Sequence, residues 1–341
     1  MSADAAANDA EAATQSAPLP TFDPARWCAV HLHYHEDRDR LLDDCVRPLV
    51  ETLHSDGAID RFFFIRYSLG GPHVRLRLRG AAGVDLAAVQ ARVHQRARTF
   101  LDHTPSRSAQ PAEDIAEANQ VLLRDAQERD PGTIPDNHSV DAPFRPETKR
   151  YGGPNWLGAS LDVFDASSRA ALALLHRHRD ASPAQRLPQT LRLLGVQIAS
   201  AARGDAARAV DLAGYAGRWW QETWAPLIAH GDQLFEARGS AIGAALTQDA
   251  AQLRDGEGLD PSWHALARAT AALADRLADD DARTAAGQAD AAPSDTLSKR
   301  TRRILESQLH MTANRLGWTN PDEVYLGHVL ARVLDAGAPR T

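Results

Sequence analysis

Residues 62–80 read FFFIRYSLGGPHVRLRLRG, and the reading of this stretch decides the fold. Two runs rich in aromatic and β-branched residues, Arg61–Tyr67 and His73–Arg79, flank Ser-Leu-Gly-Gly-Pro. That is the composition of a β-hairpin closed by a short glycine-containing turn. Successive side chains of a strand point to opposite faces, so Val74, Leu76 and Leu78 share one side while Arg75, Arg77 and Arg79 share the other. The first side can pack on a core. The second is a guanidinium ladder with two readings: the solvated face of a surface strand, or planar, permanently charged forks that grip carboxylates or phosphates bidentately.

Outward from the hairpin, Trp27–Tyr34 reads as a strand. Asp37 to about His54 reads as a helix on the spacing of Leu41, Leu42, Cys45, Leu49 and Leu53, and Val84–Leu101 is again helical. This β-α-β-β-α order predicts an α+β fold, a mixed, largely antiparallel sheet with packed helices. The charged stretch Glu113–Asp130 is read as an inserted helix, and residues 131–146, rich in Pro, Asp and Asn, as a flexible loop. Beyond Trp156 the pattern is mostly helical, over Trp156–His178, Pro188–Arg203, Ala207–Arg238 and Pro261–Ala278. Residues 279–295 are acidic and Ala-rich and are read as a flexible loop, and residues 1–22 as a disordered tail. With no repeat and no clear linker, residues 23–338 form one domain.

The chain has 341 residues, 43% of them hydrophobic, which suffices for a sizeable core. A formal net charge of −7 argues against nucleic acid and anionic membrane surfaces as partners. Two cysteines, Cys28 and Cys45, make neither a CxxC pair nor a disulfide framework, and the acidic N-terminus is no signal peptide, so a cytoplasmic address is expected. No GxSxG, P-loop or GxGxxG occurs, which removes support for the corresponding hydrolase and nucleotide chemistries.

Three further motifs carry polar chemistry. In Glu147–Pro154, ETKRYGGP, the glycines serve either as a strand-to-helix turn or as bare backbone that a ligand can approach, with Arg150 at the mouth. In Ser307–Leu316, SQLHMTANRL, a helix puts His310 and Asn314 on one face with Glu306, where a neighbouring polar group can orient the imidazole. In His31-Leu32-His33-Tyr34-His35 three histidines share a strand face, but all three would come from one strand with no distant partner, so no metal site is expected.

Taken in order, these pieces resemble the C-terminal, glutamate-elimination domain of class I lantibiotic dehydratases and its stand-alone relatives, the thiopeptide-type bacteriocin biosynthesis proteins. The resemblance runs from about Trp27 to Leu334. It rests on Pro48-Leu49, on Gly57–Tyr67, on Pro72–Gly80, on the RYGG element from Phe144 to Gly153, and on Ser307–Leu316. Phe144 stands where the family has a tyrosine, and Leu161 and Ser167-Ser168 stand where it has a glutamate and an Asp-Ser pair. The resemblance implies removal of glutamate from glutamylated Ser or Thr of a precursor peptide, leaving a dehydroamino acid, without a cofactor. It implicates Arg75, Arg77, Arg150 and His310 in catalysis, and Arg66, Arg79, Tyr151 and Asn314 are expected to bind substrate. A chain of this length leaves no room for the glutamyl-tRNA-using domain of a full dehydratase, so a separate glutamylating protein is an expected partner beside the precursor peptide. The same family includes pyridine synthases, which join two dehydroalanines in a formal aza-[4+2] cyclisation and release the leader peptide. A non-catalytic peptide-binding scaffold is the third reading.

Overall fold

The computed structural model describes residues 22–123, 129–219, 225–286 and 297–337. Strands β1 (Trp27–His33), β2 (Ile59–Tyr67), β3 (His73–Gly80) and β4 (His138–Asp141) form one sheet in the order β2-β3-β1-β4. Every pairing in it is antiparallel. Helix α1 (Arg38–Leu41) continues through a π-helical stretch, Leu42–Val46, into α2 (Arg47–Ser55), and α3 (Leu86–His103) and α4 (Ala112–Leu123) follow β3. The rest is helical: α5 (Pro154–Arg177), α6 (Pro183–Ala202), α7 (Ala206–Ala213), α8 (Tyr215–Trp219), α9 (Ala225–Asp255), α10 (Pro261–Ala286), α11 (Lys299–Leu316) and α12 (Asn320–Gly337). The protein is thus α+β with a mostly helical C-terminal half. No helix among the described residues is long and apolar enough to cross a membrane.

Three local expectations are corrected. The loop read over residues 131–146 contains β4, whose four residues HSVD pair with β1; so short and polar an edge strand has no apolar alternation to reveal it. Helix α10 runs on to Ala286, into the segment read as flexible from Asp279, because an acidic, Ala-rich sequence that lacks apolar residues can still be a good helix former. Helix α6 starts at Pro183 instead of Pro188, since Ser182 and Gln185 close a capping box there and Pro188 is carried inside the helix. Residues 287–295 and the tail up to residue 21 lie outside the described residues, while Phe22 packs against Trp27 and Phe144.

The sheet's apolar face, with Cys28, Val30, Leu32, Val74, Leu76 and Leu78, belongs to the main core together with Leu49 and Leu53 of α2 and Val89 and Val93 of α3. Strand β2 is the sheet's outer edge on one side, and its outward N–H groups need partners that β3 cannot supply. Side chains of two helices supply them at alternate residues. The N–H of Phe62 donates to Asp165 Oδ1 at 3.0 Å, that of Phe64 to Ser168 Oγ at 3.3 Å and that of Arg66 to Asn314 Oδ1 at 3.0 Å. Asn314 Nδ2 in turn donates to the Arg66 carbonyl at 3.0 Å, so one amide side chain stands in for a neighbouring strand.

Behind this edge lies a buried charge network. Arg66 donates through Nε to the Arg315 carbonyl at 3.0 Å and forms an ion pair with Asp39, which also receives Arg186. Burial pushes the Asp39 carboxyl up, but the two guanidinium groups outweigh it and hold the carboxyl below its usual range. In consequence, Asn314→Ala should leave two backbone groups of β2 unpaired and lower unfolding stability by about 1–3 kcal/mol in urea titrations. Asn314→Asp, which keeps the acceptor and loses the donor, should fall between; an unchanged midpoint for the alanine variant would remove Asn314 from this structural role.

Candidate active site

Strand register fixes the ladder's surroundings. Arg79 lies opposite Trp27 and Arg61, Arg77 opposite Ala29 and Phe63, Arg75 opposite His31 and Ile65, and His73 opposite His33 and Tyr67. Arg75 and Arg77 are only 9% and 6% exposed, which rules out the solvated-face reading for both. Burying a guanidinium is costly unless it is paired or serves a ligand, so both positions are held by more than apolar packing. Arg75 lies 3.6 Å over the Tyr67 ring and donates through Nε to His73 Nε2 at 3.2 Å. Arg77 stands 5.7 Å from the centre of the Phe144 ring. Arg79, at the strand end, is ion-paired with Asp60, which also receives Arg26.

At the Arg77–Arg79 end the ladder face is covered by a second apolar cluster, in which Trp27 and Phe63 of the sheet meet Tyr151, Leu157, Leu161, Phe164 and Met311. This cluster joins the sheet to the RYGG turn and to α11. The turn is tight: Gly153 N–H donates to the Thr148 carbonyl at 2.8 Å, and Gly152 and Gly153 have φ of 84° and 99°, a region that favours glycine. A Cβ at Gly152 would come within 2.7 Å of Ile304, so the turn is pressed against α11. Tyr151 turns into the cluster, 5.0 Å from Phe164, and burial pushes its phenol up to about 12. Arg150 turns the other way. Its Nε donates to Ser307 Oγ at 3.3 Å, its Nη1 to Glu147 Oε2 at 3.3 Å, and its guanidinium lies 5.8 Å from the Trp219 ring centre.

His310 comes up to the same indole, its ring 5.9 Å from that of Trp219. Its Nδ1 lies 2.9 Å from both carboxylate oxygens of Glu323, which is 1% exposed and also accepts from the Tyr215 hydroxyl at 2.6 Å. Burial and the Glu323 charge raise the Tyr215 phenol well above its ordinary value, so it remains a donor to that carboxylate. Glu306 accepts from Arg218 at 2.5 Å and from Trp219 Nε1 at 3.1 Å. Glu306 therefore fixes the indole against which Arg150 and His310 rest, while the group that orients the imidazole is Glu323 of α12.

Of the residues singled out from the sequence, Arg150 and His310 meet at Trp219, and Arg75 and Arg77 lie side by side on β3. The aromatic cluster links the two pairs through Tyr151 and Met311, their respective chain neighbours. Arg66 and Asn314 stand apart: Arg66 shares the face of Val74, opposite to the ladder, and Asn314 caps the β2 edge. Glu323, Tyr215 and Trp219 were missed. Only Glu323 left a signal, as a carboxylate in helical phase with the buried Leu326, Gly327 and Leu330, where an apolar residue would be the ordinary choice.

Comparison with known proteins agrees with this architecture. The chain belongs to the lantibiotic biosynthesis dehydratase C-term family, whose model matches residues 27–334. Among solved structures it is similar to the pyridine synthase TbtD from thiomuracin biosynthesis, with 20% identity, a TM-score of 0.69, and coverage of 91% of this chain and 98% of that one. It is also similar to the tRNA-dependent lantibiotic dehydratase MibB from Microbispora sp. 107891, with 21% identity and a TM-score of 0.53. That likeness covers 93% of this chain and 29% of the dehydratase. TsrL shares the fold at 17% identity and a TM-score of 0.55, with 91% and 94% of the two chains covered. No curated protein matches the chain.

The Glu323 contact has a direct spectroscopic consequence. A carboxylate accepts and cannot donate, so neutral His310 must carry its proton on Nδ1 and leave Nε2 as the bare nitrogen. Nitrogen-15 NMR of histidine-labelled protein should show this tautomer for His310, and Glu323→Gln should convert it into a mixture. A predominant Nε2–H form in the unaltered protein would break the assignment.

Proposed function

We propose that the protein eliminates glutamate from glutamylated Ser or Thr residues of a ribosomally made precursor peptide, giving dehydroalanine or dehydrobutyrine, as a lyase in lanthipeptide or thiopeptide biosynthesis. The observation that carries this reading is that a carboxylate-held imidazole and Arg150 rest on one indole, linked by a shared aromatic cluster to a buried pair of guanidinium groups, Arg75 and Arg77. β-Elimination needs these parts. A base takes the α-proton, the electron pair of that C–H bond becomes the new C=C bond, and the Cβ–O bond breaks as glutamate departs with its former ester group as a carboxylate. His310 Nε2 is the base, and Glu323 stabilises the imidazolium that forms. The guanidinium groups bind the carboxylates of the departing glutamate and the negative charge that develops on the neighbouring carbonyl oxygen. Arg79, paired with Asp60, and Tyr151, packed in the aromatic cluster, stand in this reading as neighbours that support the site, and the partners of the reading are the precursor peptide and a separate glutamyl-tRNA-dependent glutamylating protein, the protein itself acting in the cytoplasm.

A second reading is favoured by one observation, the coverage of 98% of the pyridine synthase chain at the higher TM-score. In that case the substrate already carries two dehydroalanines and the product is a six-membered nitrogen ring with release of the leader. Offering the purified protein one synthetic peptide with a glutamylated serine and another with two dehydroalanines flanked by azoles separates the readings. Elimination yields free glutamate from the first and leaves the second unchanged. Leader release and a pyridine chromophore from the second peptide alone would reject elimination. On the first peptide, His310→Ala should stall with the glutamyl ester attached, with a rate loss of about 10²–10⁴. Arg77→Lys should fold normally yet accumulate glutamyl adducts visible by mass spectrometry, since an ammonium cannot reproduce a bidentate fork; full dehydration by the lysine variant would exclude that role for Arg77.

A further inference from the structure

At the far end of the ladder face from the aromatic cluster, β1 and β3 bring three imidazoles together. His31 and His33 are two apart on β1, and His73 lies directly opposite His33 on β3. One ring nitrogen from each lies within 4.8 Å of the others. The His73 ring is stacked on both, with ring centres 4.9 Å from His31 and 4.5 Å from His33 and planes inclined by 25° and 26°. The sequence had suggested His35 as the third member and no distant partner; instead His35 Nδ1 accepts from Gln110 N–H at 3.1 Å, and the distant partner is His73.

Two features set this group apart from an ordinary polar patch. His33 is fully buried and His73 is 1% exposed, yet neither ring nitrogen of His33, nor Nε2 of His31, has a hydrogen-bond partner among the described residues. An unpaired buried nitrogen is unfavourable, and this cluster carries three, which a bound ligand would satisfy. Moreover His73 Nδ1 contacts the Gly71 carbonyl at 2.8 Å, which sets the tautomer with Nε2 as the bare nitrogen. That is how metal-ligating imidazoles are commonly held.

We infer that His31, His33 and His73 form a binding site for a divalent transition-metal cation of the zinc class. Two ligands at i and i+2 on one strand and a third from the adjacent antiparallel strand give three converging nitrogens and leave a fourth position for an exogenous oxygen. Tetrahedral zinc with Zn–N of ~2.0–2.1 Å requires nitrogens roughly 3.3 Å apart, a contraction that side-chain rotation of the stacked rings can supply. The Arg75 Nε that now meets His73 Nε2 gives way to the metal. The inference shares Arg75 with the proposed elimination, and its test reads metal binding alone, so the failure of one reading is distinguishable from the failure of the other.

Titration of the full chain with Co²⁺, followed by Zn²⁺ displacement, tests it. The expected result is one Co²⁺ per chain with intense visible bands of a tetrahedral site, abolished by one equivalent of Zn²⁺. His31→Gln, at the most accessible of the three positions, should weaken Co²⁺ binding at least tenfold with unchanged circular dichroism. Should that variant misfold, the spectrum of the unaltered protein decides alone. Weak octahedral bands, substoichiometric binding, or affinity indifferent to His31→Gln would each overturn the site.

Discussion

The unpaired edge of strand β2 is the constraint on which the rest of the structure depends. A sheet edge must be covered, twisted away or satisfied, and here it is satisfied by Asp165, Ser168 and Asn314, one for every second residue. Since α5 and α11 must sit where those side chains reach the strand, the helical half is held in one position against the sheet. That position brings Met311 and the RYGG turn onto the ladder face and places His310 one helical turn from Asn314. Arg315 Nε, donating to Ser168 Oγ at 2.9 Å, ties the two helices to each other at the same point.

Within this frame the ladder face is graded along its length. One end is aromatic and dry, the middle carries Arg75 and Arg77, and the other end carries the stacked imidazoles. Charges buried beside aromatic rings act in a medium of low dielectric, where a bound anion is attracted more strongly than at an open surface. Family membership agrees with a peptide-modifying role, and within this fold the sheet supplies fixed cations and the helices supply an imidazole held by Glu323.

Much of this was legible in the sequence, and the reasons differ from element to element. The hairpin could be read because its two strands alternate and its turn is rich in glycine, so a period of two was visible over many residues. The pairing of Arg75 with Arg77 follows from that period, whereas the face that Arg66 takes depends on the register of β2 on β3. Strand β4 was illegible because HSVD pairs through backbone groups, which leave no trace in side-chain pattern. The His310 partner was sought on α11 itself, at Glu306 or Asn314, because helical spacing reports only neighbours on the same helix. Glu323 arrives from α12, and only its place in that helix's apolar stripe betrays it. The grouping of His73 with His31 and His33 needed the register of β1 on β3, which no local pattern contains.

The Asn314 cap also orders events in time. Residues 66 and 314 are separated by 248 positions, so the hairpin, made early on the ribosome, keeps part of its edge unsatisfied until nearly the whole chain has been synthesised. Long-range closures of this kind are slow, and an open edge during the wait is where a nascent chain associates with its neighbours. Chains that stop short of α11 retain every residue of the sheet, with Asp165 and Ser168 at two of its edge positions, yet leave the Arg66 end of that edge open to association, which the complete fold closes with one late amide side chain.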